Sequence, residues 1–129
     1  MAREFNITAT DKFFLGEDKV IDLTIFGQDD ATPFDVTGLP LEWNMRKTDQ
    51  AADPALLVKG VGTGLSIVGV YNAVPAVNTQ RVRLTFAAAD TATGLKANVA
   101  YRHSLKRLDV GNKGIFSYGS LTFLQATEH

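Results

Sequence analysis

The sequence predicts an all-β fold, an antiparallel β-sandwich of seven to nine strands with at most one short helical turn. Three observations predict it. Apolar and polar residues alternate with a two-residue period in several separate segments, the pattern of a strand with one dry and one wet face. Turn-forming glycine, asparagine, aspartate and proline interrupt these segments about every ten residues, the spacing of a two-sheet sandwich. The chain has 129 residues and no cysteine, which suits a single domain that buries roughly two thirds of its unfolded surface and needs no disulfide to fold.

Residues 1–15 open with a short alternation, Phe5, Ile7 and Ala9, which is either an edge strand or an arm that pairs with another subunit. Within the turn at 11–18, Phe13 and Phe14 are adjacent. A single strand would point them to opposite faces, so one is expected at the surface. Residues 19–26 form a strand with Ile21, Leu23 and Ile25 facing in and Asp22 and Thr24 facing out. The polar loop at 27–33 carries Asp29 and Asp30. Residues 41–46 alternate strictly, and Trp43, the single tryptophan, is the expected centre of the core.

Residues 55–59 and 64–68 are two short strands around the glycine-rich turn Gly60-Val61-Gly62-Thr63-Gly64. Pro75 demotes residues 70–78 to loop or edge. Residues 79–86 return to strand, with Val82, Leu84 and Phe86 inward and Arg81, Arg83 and Thr85 outward. The alanines and Asp90 of residues 87–95 break the strand period and predict one helical turn ending at Gly94. Then Tyr101, His103 and Leu105 alternate with Arg102, Ser104 and Lys106. A turn-rich segment at 109–114 follows, and the extended pattern resumes at 115–124, which together predict a β-hairpin.

Thirteen Lys+Arg against fourteen Asp+Glu leave a net charge of -1, which argues against a groove that neutralises many phosphates, so no nucleic acid is expected. No apolar run approaches the ~20 residues that span a bilayer, and the N-terminus lacks the order of a signal peptide. A soluble protein made in the cytoplasm, with no membrane partner, is expected.

The residues capable of chemistry are dispersed. His103 lacks a partner at HxH or HxxxH spacing, and its nearest carboxylate in sequence, Asp109, lies across a turn, so it is read as a packed structural histidine. Ser104, Ser117 and Ser120 stand in ladders rather than on a strained elbow. The Gly60–Gly64 stretch lacks the Lys-Ser/Thr of a phosphate loop and opens no helix. Asp29, Asp30, Asp49 and Asp53 are loop acids without the spacing of a calcium loop. Arg81, Arg83, Arg102 and Lys106 face outward and form a basic stripe if their strands are neighbours, with Glu42 and Asp22 to balance them. No catalytic residue, metal site or cofactor is therefore expected. What a monomeric core leaves unexplained is an aromatic surplus, since Phe13, Phe14, Phe34, Phe116 and Tyr118 cannot all point inward.

Several of these segments resemble a known family. Gly16-Glu17-Asp18 before Ile21-Asp22-Leu23-Thr24, Phe34-Asp35-Val36-Thr37-Gly38 before Leu41-Glu42-Trp43-Asn44-Met45-Arg46, Val82-Arg83-Leu84 with Ala89-Asp90-Thr91, and Ala100-Tyr101-Arg102-His103-Ser104-Leu105 with Tyr118-Gly119-Ser120-Leu121 carry the likeness. It is to the small Ig-like domains of tailed-bacteriophage structural proteins, nearest in type to the N-terminal domain of upper baseplate proteins. The resemblance covers most of the chain from about residue 16 and rests on turn and core patterns. It implies an Ig-like β-sandwich and a non-enzymatic virion component, present in multiple copies, that docks on tail, neck or capsid subunits.

Upper baseplate proteins continue beyond such a domain into receptor-binding parts, whereas this sequence ends at His129. The resemblance therefore extends to two sibling roles, capsid decoration (cement) protein and neck component. The expected contact residues are Phe5, Phe13, Phe14, Asp29, Asp30 and Tyr118. Two further readings use the same residues differently. A carbohydrate-binding module would gather Phe14, Tyr118 and the loop acids on one platform, and an enzyme would have to be built on His103.

Overall fold

The computed structural model describes residues 3–7, 11–27, 29, 31–48, 54–109, 111 and 114–125. Ala9, Asp30, Asp49, Asp53 and His129, named above, lie outside these residues, as does part of the 109–114 turn. Eight strands and one short helix follow in chain order: β1 (Arg3–Glu4), β2 (Lys19–Leu23), β3 (Leu41–Arg46), β4 (Ala55–Val61), β5 (Gly64–Val68), β6 (Arg81–Phe86), α1 (Ala88–Thr91), β7 (Ala100–Arg107) and β8 (Gly114–Thr122). They form one sheet in the order β1-β8-β7-β3-β4-β5-β6-β2. The fold is all-β, as the alternation predicts.

The sheet is mixed rather than purely antiparallel. β1 runs parallel to β8, with Arg3 opposite Ser117 and Glu4 opposite Tyr118, and the parallel contact continues at Ile7 opposite Leu121 and Phe14 opposite Leu124. The segment at 3–7 is thus an edge strand of its own sheet. β4 and β5 also meet in parallel, over Gly60–Gly64 and Val61–Leu65 only.

The second contact is a corner. Gly62 and Gly64 take φ of 87° and 98°, conformations that glycine reaches without a Cβ penalty. The amide of Thr63 donates to the Gly60 carbonyl at 2.9 Å, and Thr63 Oγ1 accepts the Gly60 amide at 3.0 Å. Instead of doubling back as a hairpin, the chain bends there, and β5 leaves β4 to pair with β6 in antiparallel register. One continuous sheet curls around the core as a result.

A single cluster of buried residues fills the concave side, drawn from β2, β3, β5, β6, β7, β8 and the segments beside them. Trp43 lies at its centre with no exposed surface, its ring edge-on to Phe86 at 5.3 Å. Leu41 and Met45 flank it on the same face of β3, as period-two geometry requires. Burying each such side chain contributes about 1.5–3 kcal/mol. Tyr101, His103 and Leu105 supply the inward face of β7.

On β8 the inward set is Ser117, Gly119 and Leu121. A register shift between Leu105 and Lys106 precedes this set. It leaves Phe116 half-buried against Phe34, with ring centroids 5.4 Å apart, while Ile115 stays exposed. A bulge of this kind re-aims side chains next to it.

Two polar devices tie the loops to this core. Gln80, buried, accepts the Val36 amide at 3.1 Å and donates to Asp35 at 3.1 Å and Thr37 Oγ1 at 2.9 Å, fixing residues 34–38. Lys59 points inward from β4 beneath the predicted helical turn, and its Nζ meets Asp90 of α1 at 2.8 Å and lies 4.9 Å from the Phe86 ring centre. Gly94, at φ 81°, follows this helix as expected.

Candidate functional site

Of the expected contact residues, Asp30 lies outside the described residues, and the other five do not form one patch. Phe13 has no exposed surface and packs edge-on between Phe86 at 5.0 Å and Phe123 at 4.8 Å. Phe13 is therefore a core residue and not a contact residue: residues 11–18 are a turn, whose own φ and ψ set the direction of each side chain, and of the two phenylalanines it is Phe14 that keeps some exposure. Phe14 is half-buried, and its amide donates to Glu17 Oε1 at 2.8 Å.

Phe5 stands at the most connected position. His103 on β7 is 4% exposed, and its Nδ1 accepts from the Trp43 indole N–H at 3.3 Å while its Nε2 donates to the Phe5 carbonyl at 2.8 Å. Those two partners define the neutral tautomer with the proton on Nε2. Burial pushes the His103 pKa below its ordinary value, aided by the nearby Arg102 charge. Gly119 makes the contact possible, because it lies across from His103 on β8 and a Cβ there would overlap the Phe5 carbonyl oxygen and sit 2.7 Å from the Phe5 carbonyl carbon.

A general base needs a ring nitrogen open to a substrate proton, and both His103 nitrogens are spent inside the fold. No serine hydroxyl is bonded to His103 in the contacts of its ring. Among the described residues no three His, Cys, Asp or Glu side chains converge as a metal group would require. Asp29 is exposed, and its carboxylate accepts from the amides of Ala31 at 3.1 Å and Thr32 at 2.9 Å and from the Thr32 hydroxyl at 2.5 Å. Those bonds hold its pKa down to about 2. Asp29 therefore closes its own turn.

The basic stripe does not assemble. β6 and β7 are separated by β5, β4 and β3. Arg83 instead pairs with Asp22 on β2 through both carboxylate oxygens, at 2.9 and 3.1 Å, and Lys106 lies 3.7 Å from Glu42. Glu42 and Asp22 are the balancing acids the sequence suggests. Exposed pairs of this kind are screened by water and add little to stability.

Tyr118, 39% exposed, lies on the convex face. The strand register there runs Val58, Asn44, Ser104, Tyr118 across β4, β3, β7 and β8. Val58 and Tyr118 stand exposed on either side of the shorter Asn44 and Ser104, and Leu56 and Ile115 add further exposed apolar surface. Phe14 pairs with Leu124, six residues along from Tyr118, or roughly 20 Å at strand rise. Phe14 and Tyr118 therefore do not share a platform of the size a sugar ring stacks on.

The region missed by the sequence reading is a notch at the two ends of the sheet. A cavity of about 270 Å³ is lined by Glu4 and Phe5 from one end, by Asp22, Leu23, Thr24 and Phe26 from the other, and by Phe116 and Ser117 of β8. Strand order is what brings these residues together, and alternation along one strand carries no signal of it.

No protein-family model matches the chain, and no curated protein is significantly similar to it.

Proposed function

We propose that this chain is a non-catalytic structural protein of a tailed-bacteriophage particle, an Ig-like β-sandwich domain that docks on other virion proteins as a tail, baseplate or neck adaptor. In this reading β1, β8, β7, β3 and β4 make one layer and β5, β6 and β2 the other, joined at the corner of residues 60–65. The observation that carries it is the distribution of side chains. The concave face is packed around Trp43 and His103, while Val58, Tyr118, Leu56 and Ile115 stay exposed on strands. Exposed apolar surface on regular structure is what an interface spends on its partner.

Mass spectrometry of purified particles, with heads separated from tails, tests the reading. Recovery with tails supports the adaptor role. Recovery with heads moves the protein to capsid decoration, and isolation as a free monomer absent from every particle fraction refutes a virion role.

A further inference from the structure

Among the described residues the sheet ends in β1 on one side and β2 on the other, each paired along one edge only. Curling brings both ends to the notch, whose two long walls are therefore strand edges. A strand directs the amide and carbonyl groups of alternate residues to opposite sides. Phe5 and Ile7 turn toward β8, with Phe5 N–H donating to the Tyr118 carbonyl at 2.7 Å, Ile7 N–H to the Ser120 carbonyl at 2.8 Å and the Ile7 carbonyl accepting from Thr122 at 2.9 Å, while the Phe5 carbonyl goes to His103 of β7. Glu4 and Asn6 consequently direct theirs away from β8. Alternate residues of β2 do the same away from β6. An open edge of this kind is a template for another strand.

Size, lining and charge narrow the occupant. At about 270 Å³ the notch lies just under the ~300–1,000 Å³ typical of small-molecule pockets, and suits one or two side chains. Phe5, Leu23, Phe26 and Phe116 make its walls apolar. At the rim, Asp22 is neutralised by Arg83. Glu4 is exposed and has no ion pair among the described residues.

We propose that the notch is a strand-addition site. An extended segment of another polypeptide lies along the open edge of β2, sets one large apolar side chain between Phe5, Phe26 and Phe116, and places a lysine or arginine beside Glu4. Main-chain hydrogen bonds then give the affinity, and the notch and Glu4 give the selectivity. The proposal rests on the docking role above and names the chemistry of the partner.

Selection of a displayed library of random peptides of about ten residues, the upper range of a strand, against the full chain tests it. Selected peptides are then mapped by amide chemical shifts in the labelled protein. The expected winners alternate apolar and polar residues around an aromatic or leucine next to a basic residue, and they shift the amides of Glu4, Asp22, Leu23 and Thr24. Glu4→Lys reverses an exposed charge, and Thr24→Trp fills the notch from a half-buried position. Each is expected to weaken binding about tenfold or more, with the unfolding midpoint of Glu4→Lys unchanged.

Winners that shift Val58, Ser104 and Tyr118 instead, winners indifferent to Glu4→Lys, or a selection that yields no binder overturn the proposal. A chain that takes such peptides yet is absent from particles refutes the virion role alone. A chain recovered in particles whose notch amides no winner shifts refutes the notch alone.

Discussion

Gly119→Ala is the sharpest perturbation of the fold. The added methyl would overlap the Phe5 carbonyl oxygen, and it would lie 2.7 Å from the carbonyl carbon and 2.8 Å from Asn6 Oδ1. The first of these atoms is backbone and cannot rotate away, so residues 5 and 6 must lift off β8. Lifting removes the bond from His103 Nε2 to Phe5 and the one from Phe5 N–H to Tyr118. Leaving a buried donor unpaired costs about 1–3 kcal/mol, and overpacking alone costs a similar amount.

A loss of about 3 kcal/mol is expected, a large share of the 5–15 kcal/mol typical of a folded domain. Urea unfolding of the variant measures it, and amide exchange at Phe5 and Ile7 should accelerate together. The decisive control repeats the substitution in a chain lacking residues 1–6. The three atoms nearest the added methyl are then gone, and alanine in a strand should be neutral or stabilise by roughly 0.5–1 kcal/mol. An equal loss in both backgrounds would show that the Phe5 carbonyl is not the cause.

Two further outcomes follow from buried ionisable groups. Because burial lowers the His103 pKa below 6.5, the unfolded chain takes up the proton first, so stability should fall as pH drops below about 6.5 and stop falling once the folded imidazole titrates. His103→Gln should flatten that window in unfolding free energies measured from neutral to mildly acid pH, and an unchanged slope would place the dependence elsewhere. For the Lys59–Asp90 pair, whose side chains are 7% and 30% exposed, Asp90→Ala leaves a buried ammonium without its partner and should cost about 2–3 kcal/mol in thermal or denaturant unfolding. Lys59→Met keeps the packing and leaves a carboxylate that water can reach, so it should cost less. The reverse order would be evidence against the pairing.

Much of the fold is legible along the chain because period-two alternation reports burial directly. Ile21, Leu23 and Ile25, then Leu41, Trp43 and Met45, then Tyr101, His103 and Leu105 all lie on the inward side, and the helical turn falls between Ala87 and Gly94. Legibility stops where information is not local. The strand at 55–59 carries no sequence sign that Lys59 turns inward: its place opposite Trp43 puts it there, and its partner Asp90 is 31 residues away. Gly60–Gly64 reads as a turn between two strands, but whether that turn folds β5 back on β4 or sends it to a new partner is not written in its glycines.

The candidate site was less legible still. Tyr118 is exposed as expected, but Phe13 is not, because the direction of a side chain in a turn depends on φ and ψ that composition does not specify. The notch between Glu4 and Thr24 has no sequence signature at all. It exists because β1 and β2, consecutive in the chain, become the two outer edges of one curled sheet whose order is set by pairings elsewhere.

The parallel pairing of β1 with β8 sets an order of events. Arg3 reaches its partner Ser117 across 114 intervening steps of chain, whereas β7 and β8 are joined by a short turn. Closing the longer loop costs more entropy, by about (3/2)RT ln of the length ratio, and long-range pairings slow folding. During synthesis the first strand must therefore wait for the last one to emerge. Until then residues 3–7 have no strand to pair with, and the bond that His103 Nε2 gives to the Phe5 carbonyl has no β8 beside it to hold its acceptor in place.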